Sequence, residues 1–583
     1  MTRRADRQRQ GVLIVERPLH SAVAIRQPGR LTPRSQRATE FELIYRRLMI
    51  LLLLFVAAFT AVGVRLTQLG FVSQGRTSRR NSRGSAVVAR VDMVDRNGMV
   101  LARTFDAYSV GVHPSQLIGD PRDLAGQISH ILPGQSEDVV LGELTSRRPF
   151  RYIQRHISPD DVRKFMMLGE PGIEILQEPE RIYPESALAA HVLGYADIDG
   201  IGRAGLERQY QNRLTASAQQ PLQLSIDGRV QGVLELELQN AMTEHSAIGA
   251  AGVVLDVNTG EVVAMASLPG FNPNVPSRST PDARFNRATQ GVYELGSTFK
   301  AFTIATALET GVIHSLADRY DARAPLQMGR FRIHDDDAQN RWLTVPEIFA
   351  YSSNIGAARI AQAIGADRQR SFLDRLGMLR PVAVDLPERG RPLYPASWGE
   401  LATMTVGFGH GLAVSPLHLA LGYAAVVNGG VWRPATLLKV SDDRPVAGTR
   451  VFSEQTSAMM RSLLRLVVVH GTGAKADAHG YRVGGKTGTA EKAEAGGYNH
   501  HALISTFAGA FPIDAPQYVV VVTLDEPKGT KATGGYATAG WVAAPVAHGL
   551  IRSIGPMLGI YPDLNRDIDL TPILQLVTGK AAE

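Results

Sequence analysis

The stretch LMILLLLFVAAFTAVGV, residues 48–64, restricts this chain more than any other: seventeen uncharged, mostly apolar residues fenced by Arg47 and Arg65. A helix that is apolar all round has no face to offer water, so it belongs in a core or in lipid. Seventeen residues is the short end of a bilayer span, and flanking arginines can snorkel to headgroups, which favours a membrane helix. A cleaved signal peptide fits less well. A 47-residue lead is long and the apolar run exceeds the usual one, although Ala61-Val62-Gly63 resembles a small-x-small cleavage site. The expectation is one transmembrane helix at 48–64 behind a tail at 1–47.

Charge sharpens this. Residues 1–47 carry eleven arginines against four acidic residues, which is the whole formal net charge of +7, so the rest of the chain sums to zero. A basic, nucleic-acid-binding body is thereby disfavoured. Arginines near the two ends of the span tie in number, but a short, strongly basic tail favours the cytoplasmic side, with the large remainder translocated. The tail's Arg-, Gln- and Pro-containing composition reads as disordered. Zero cysteines exclude disulfides, Cys-ligated metal and thiol nucleophiles without deciding the compartment. At 583 residues the chain has room for about three or four units.

From about 65 to 225 the pattern is a mixed region of short strands and helices. VDMVDRNGMVLA, 91–102, reads as a hairpin turning at Asn97-Gly98, and RIYPESALAAHVLGY, 181–195, as a turn at Tyr183-Pro184 followed by a helix from Ser186 to His191. No metal-ligand spacing, phosphate loop or repeat occurs there. From 226 the pattern changes. GVVLDVNTGEVVAMAS, 252–267, reads as a hairpin, as do HALISTFAGAFP and YVVVVTLDEP, 501–527, the latter run apolar enough for a central strand. Between them lie helical patterns, including FKAFTIATALETG, stopping at Gly311, and TVPEIFAYSSN, with Thr344 and Glu347 in capping-box spacing. Sheet hairpins enclosing a helical block predict an α/β sandwich-like domain with a cleft where the two meet.

Only nine of the 62 basic residues are lysines, and only Lys300 has a serine three residues before it, Ser297 in GVYELGSTFK. On a helix the two share a face, so the amine can approach the hydroxyl. A buried lysine can lose its proton and act as a base, which arginine cannot. Taken singly the tetrapeptide could be an exposed helical lysine, Tyr351-Ser352-Ser353-Asn354 a helix N-cap, and Val483-Gly484-Gly485-Lys486-Thr487-Gly488-Thr489 a Gly-rich edge strand. As a site, Ser352 and Asn354 would point into the cleft, Lys486, Thr487 and Thr489 would face a carboxylate, and the strand could pair with a peptide.

Together, in this order and in these contexts, Ser-x-x-Lys, Ser-x-Asn and Lys-Thr-Gly resemble the penicillin-recognising serine acyltransferases. The basic tail, the span, DRNGMVLA, RIYPESALAAHVLGYADIDGIGRAGLERQY and LQLSIDGRVQ are similar to the anchor and pedestal of class B penicillin-binding proteins. GEVVAMASLPGFNPN, RFNRAT, TVGFGHGLAVSPLHLALGYAAVVNGG and TAGWVAAPV are similar to their transpeptidase domain, in the FtsI division branch. One departure is Leu295, where the family usually has proline; it alters the approach to the helix, not the nucleophile or base.

The resemblance implies an α/β (α+β) fold: an antiparallel sheet flanked by helices (226–560) on a mixed pedestal (65–225), with one N-terminal span and a C-terminal tail (561–583). It implies a serine-type D-Ala-D-Ala transpeptidase inhibited by β-lactams, with Ser297 as nucleophile and Lys300 as base. Ser352 would relay a proton to the leaving amine, Asn354 would hold the substrate amide and Lys300, and Lys486 would supply field. Thr487 and Thr489 would bind the carboxylate, Gly488 would keep the strand approachable, and the N–H groups of Ser297 and Thr489 would form the oxyanion hole. No metal or organic cofactor is implied. The expected partners are peptidoglycan stem peptides, the membrane, an FtsW-type glycosyltransferase and other divisome proteins at the inner-membrane division site, with a monofunctional catalytic domain in the periplasm. The alternatives are an elongation-specific class B enzyme, a membrane-bound non-catalytic penicillin sensor or scaffold, and a β-lactamase.

Overall fold

The structure is a computed structural model that describes residues 46–63, 65, 90–216, 220–329, 331–441, 446–494 and 497–577. The described residues fall into two units, the helix Arg46–Gly63 and the body from residue 90 onward. That helix is long and apolar enough to cross a membrane, and none of its apolar window is buried against protein. Of the disordered tail expected at 1–47, residues 1–45 lie outside the described residues, while Arg46 and Arg47 open the helix.

The first part of the body is built on a five-stranded sheet. Val100–Val112 is its centre, pairing antiparallel with Met93–Val94, Arg151–Ile157 and Ile173–Ile182, while Leu222–Gln223 runs parallel to Met93–Val94. The turn read at 95–98 joins the first pair: Asp95 Oδ1 accepts from the N–H groups of Asn97 and Met99, and its Oδ2 accepts from Gly228 N–H at the start of a later helix. Three short helices cover the sheet through Val110, Val112, Ile128, Val140 and Phe165. The helix expected at 186–191 instead forms at Ala190–Leu193, because Ser186 and Ala189 take left-handed backbone angles (φ 53° and 54°) that break a right-handed helix.

The second part carries five antiparallel strands: β1 (Gly249–Asp256), β2 (Val262–Leu268), β3 (Gly484–Glu494), β4 (Gly497–Phe511) and β5 (Tyr518–Asp525), in the order β3-β4-β5-β1-β2. The β5 run at 519–522 is apolar at every step because both faces are covered: Val520, Val522 and Leu524 meet one layer of helices, Val519 and Val521 the other. On one face lie α1 (Gly228–Glu244) and α7 (Ala544–Ile554). On the other lies the helical block, α2 (Lys300–Glu309), α3 (Val345–Ala350), α4 (Asn354–Ile364), α5 (Pro416–Val427) and α6 (Glu454–His470). α5 is buried at every residue, which its lack of a polar face dictates. α3 begins with the capping box read from sequence, Thr344 with Glu347.

Residues 561–577 fold back on this block. Leu570 and Ile573 are buried, the Thr344 hydroxyl donates to Leu576 O at 2.9 Å, and Arg465 of α6 grips both oxygens of Asp567. The same guanidinium donates to Val483 O at 2.9 Å, one residue before β3.

Between the pedestal strands, Glu207 is fully buried and accepts from Arg90 Nε at 2.6 Å and Arg181 Nε at 2.7 Å. Removing the carboxylate strands two buried guanidinium groups. Glu207→Ala should therefore cost about 3–5 kcal/mol, read as a lower urea midpoint for the detergent-solubilised full chain; an unchanged midpoint would contradict the buried pairing.

Candidate active site

A single turn of tighter helix, Gly296–Phe299, leads into α2 and places Ser297 one turn before Lys300. Lys300 is fully buried, and its Nζ lies 2.9 Å from Ser297 Oγ. Around the same nitrogen stand Asn354 Oδ1 at 2.7 Å, Ser352 Oγ at 3.1 Å and the Ser352 carbonyl. All of these acceptors are neutral. Burial therefore pulls the Lys300 amine down from its ordinary value to about 7, against a smaller upward pull from Asp335 and Asp336.

Ser352 reaches the lysine because α3 ends at Tyr351 and the next residue turns left-handed (φ 60°), a strained conformation for a serine. Ser353 then caps α4, accepting from Gly356 N–H at 3.0 Å. The motif thus holds both the N-cap and the inward-facing groups, on adjacent residues. Buried Asp335 locks the turn, accepting from Ser353 Oγ at 2.7 Å and Ile355 N–H at 2.8 Å.

β3 brings the third motif from the edge of the sheet. Lys486 is fully buried, with Nζ 3.0 Å from Ser352 Oγ, 3.0 Å from Thr487 O and 3.4 Å from Thr472 Oγ1. Burial, and then the charge of Lys300, push this amine well below its ordinary value. Thr487 Oγ1 lies 2.7 Å from Thr472 Oγ1, while Thr489 Oγ1 accepts from Ala539 N–H at 3.0 Å. The two backbones run against each other: a Cβ on Gly488 would sit 2.2 Å from Leu295 O, and one on Gly296 (φ +53°) 2.5 Å from Thr489 O. Only glycine fits either place. Leu295 is itself wholly buried in the core.

These groups open onto a cleft of about 910 Å³, lined by Ser297, Ser352, Asn354, Thr472, Thr487 and Thr489 among others. At its far end Glu294 Oε1 accepts from Gly411 N–H at 2.9 Å and from the Tyr498 hydroxyl at 3.0 Å, with His410 Nδ1 3.2 Å from Oε2. Among the described residues no three His, Asp or Glu side chains converge as a metal ion requires.

Ser297, Lys300, Ser352, Asn354 and Lys486 are thus brought together from three stretches of chain, with Thr487, Gly488 and Thr489 along the strand beside them. Sequence reasoning missed Thr472 and Asp335. Each stands alone, in a Gly-Thr-Gly turn and an acidic run, with no spacing that ties it to a motif. Chemically, the arrangement is a serine hydroxyl beside an amine that titrates near pH 7, with a second amine and hydroxyl groups past it where an anion can dock.

A family model for the penicillin binding protein transpeptidase domain matches residues 250–548, and one for the penicillin-binding protein dimerisation domain matches 85–236. The chain is similar to the probable peptidoglycan D,D-transpeptidase FtsI of Caulobacter vibrioides, 41% identical over 488 residues that cover 81% of this chain and 82% of that one. It is 31% identical over 518 residues to the peptidoglycan D,D-transpeptidase FtsI of Escherichia coli K12, covering 81% and 86%. Among solved structures it resembles penicillin binding protein 3 of Mycobacterium tuberculosis complexed with aztreonam, with TM-score 0.64 and 26% identity over 82% of this chain and 97% of that one.

A lysine amine titrating near 7 makes the hydroxyl beside it pH-sensitive with a definite sign. With the free amine as the active form, reactivity should be full above about pH 8, half near pH 7 and about a tenth at pH 6. The rate of Ser297 acylation against pH should show this rise; a flat profile from pH 6 to 8 would rule it out.

Proposed function

The chain belongs to the class B penicillin-binding proteins, and we propose that it cross-links peptidoglycan stem peptides at the division septum as a serine D,D-transpeptidase. The observation that carries this reading is the 2.9 Å approach of Lys300 Nζ to Ser297 Oγ, at the point where Ser352, Asn354 and Lys486 meet.

In this reading the terminal D-Ala carboxylate docks against the hydroxyls of Thr487, Thr489 and Thr472, in the field of Lys486. That places the penultimate D-Ala carbonyl over Ser297, with the N–H groups of Ser297 and Thr489 as the oxyanion hole. Lys300 takes the Ser297 proton as Oγ attacks the carbonyl carbon. Ser352, 3.1 Å from Lys300 Nζ and 3.0 Å from Lys486 Nζ, passes a proton to the departing nitrogen, so the C–N bond breaks and D-Ala leaves as a free amino acid. The amine of a neighbouring stem then attacks the ester, the new amide forms, and the proton it sheds returns through Lys300 to Ser297. Asn354 orients the substrate amide while its Oδ1 holds Lys300 at 2.7 Å.

β-Lactams are amide mimics of the same D-Ala-D-Ala end and acylate the same serine. The helix Arg46–Gly63 anchors the enzyme, with the basic tail in the cytoplasm and the catalytic body in the periplasm. The working partner is a membrane glycosyltransferase of FtsW type, met through the span and pedestal, within the divisome.

A fluorescent penicillin should label the protein at Ser297, and Ser297→Ala should abolish the label. Lys300→Arg keeps the charge but removes the titratable base, so acylation should fall by at least 100-fold. Labelling that survives Ser297→Ala, or normal acylation in Lys300→Arg, refutes the mechanism. Rapid turnover of the bound drug would identify a β-lactamase, and round rather than filamentous cells on depletion would move the enzyme to elongation.

A further inference from the structure

We propose that Glu491 reads the third residue of the donor stem peptide, selecting a side chain that ends in a free ammonium group. The proposal rests on the transpeptidase reading above and deepens it.

The substrate's direction along β3 follows from the site. Its terminal carboxylate lies by Thr487 and its scissile carbonyl by Thr489, so tracing the peptide towards its N-terminus means moving up the strand, antiparallel to it. β3 is the edge strand of its sheet, and a peptide can add to it by strand pairing. Side chains on a strand alternate between faces, so Thr487, Thr489 and Glu491 share one face, and all three line the cleft. Glu491 stands one pleat repeat, roughly 7 Å, beyond Thr489. At about 3.4 Å per residue, the residue before the scissile D-Ala lies one residue short of Glu491, so an ammonium at the end of its side chain can reach the carboxylate.

What Glu491 offers there is negative charge. Its Oε1 lies 2.6 Å from His500 Nδ1 across the hairpin, the side chain is 36% exposed, and Oε2 has no hydrogen bond among the described residues. Lys492, next along the chain, does not neutralise it: its Nζ is taken by Asp525 and Glu526 at 2.9 and 2.8 Å. Burial, then Glu294 and to a smaller degree Glu491, hold the phenol of Tyr498, in the same wall, protonated far above the usual range. The cleft is therefore polarised along its length, with amines and hydroxyls where the carboxylate docks and a carboxylate two residues past the reacting carbonyl. A plain surface pair with His500 would be indifferent to what the peptide carries.

The test compares two synthetic pentapeptides ending in D-Ala-D-Ala, identical except that the third residue carries a side-chain amine that is either free or N-acetylated. D-Ala release is followed with detergent-solubilised full-length protein and no added acceptor, and the ratio of kcat/KM for the two peptides, which reports the acylation step before any amine attacks the ester, is taken within each variant, which cancels differences in folded fraction. The wild type should favour the free amine by about fivefold, less at high salt. Glu491→Gln should bring the ratio to about one, and Glu491→Lys should invert it. A preference that survives Glu491→Gln, or is missing in the wild type, overturns the proposal. So does a preference seen only in aminolysis after an amine acceptor is added, which would assign the ammonium to the acceptor. Penicillin labelling of wild-type Ser297 reads the parent assignment separately: labelling without peptide preference sinks this proposal alone, and no labelling sinks both.

Discussion

Two primary amines buried one hydroxyl apart set the terms for the rest of the catalytic domain. Lys300 and Lys486 are both fully buried, and Ser352 Oγ lies within hydrogen-bond distance of each. Holding even one ammonium out of water costs several kcal/mol unless a carboxylate meets it. Among the described residues none does: the contacts are hydroxyl, amide and carbonyl oxygens. Loss of a proton is the cheapest relief, and it leaves a neutral amine beside the serine. A carboxylate in direct contact would have restored the charge and disabled the base. Asp335 is close enough to act on Lys300, yet it spends both oxygens on the Ser353 hydroxyl and the Ile355 N–H.

Such a pair persists only if the surrounding backbone over-determines it. Three segments deliver the groups, and each is tied down at some distance from the chemistry. Buried Tyr423 of α5 donates to Thr298 O at 2.9 Å, fixing the turn that carries Ser297. The capping box at Thr344 starts α3, whose far end presents Ser352, and the same threonine hydroxyl holds the C-terminal segment through Leu576 O. Arg465 couples that segment, through Asp567, to Val483 at the start of β3. Residues 561–577 thus touch the supports of two of the three motifs, a role that the reading of 561–583 as a C-terminal tail does not suggest.

Legibility followed locality. The hairpins at 249–268 and 497–525, the α3 capping box and the Gly311 stop are written in contiguous residues, and composition and turn chemistry expose them. The motif residues were legible because their types and order are rare together. The helix near 186 was misplaced because left-handed serine and alanine are imposed by packing, and no local propensity announces them. Thr472 and Asp335 were invisible for a related reason. Their partners, Thr487 and Ser353, lie 15 and 18 residues away, so only the folded chain makes them neighbours. Leu295, a departure from the family's usual proline, is a core residue whose carbonyl accepts from the Thr298 hydroxyl at 2.8 Å, so the turn that carries Ser297 closes without proline.

An exposed edge strand is ordinarily a liability, because its unpaired N–H and C=O groups invite a second strand. In the proposed binding mode that invitation is put to use, and the fold restricts who can accept it. At its middle the strand is crossed by the nucleophile's turn so closely that a single methyl group on Gly488 would overlap Leu295 O. A partner strand therefore cannot run freely along β3; it must thread the cleft between the strand and Ser297. Backbone pairing supplies affinity without discrimination, since every peptide has the same ladder groups. Selectivity has to come from the alternate side chains that face the cleft. At 487 and 489 these are hydroxyls matched to an anion, and at 491 the sign of the charge reverses. A chain that binds its substrate as an added strand can read it only two residues at a time, so this alternation is the whole alphabet β3 has available.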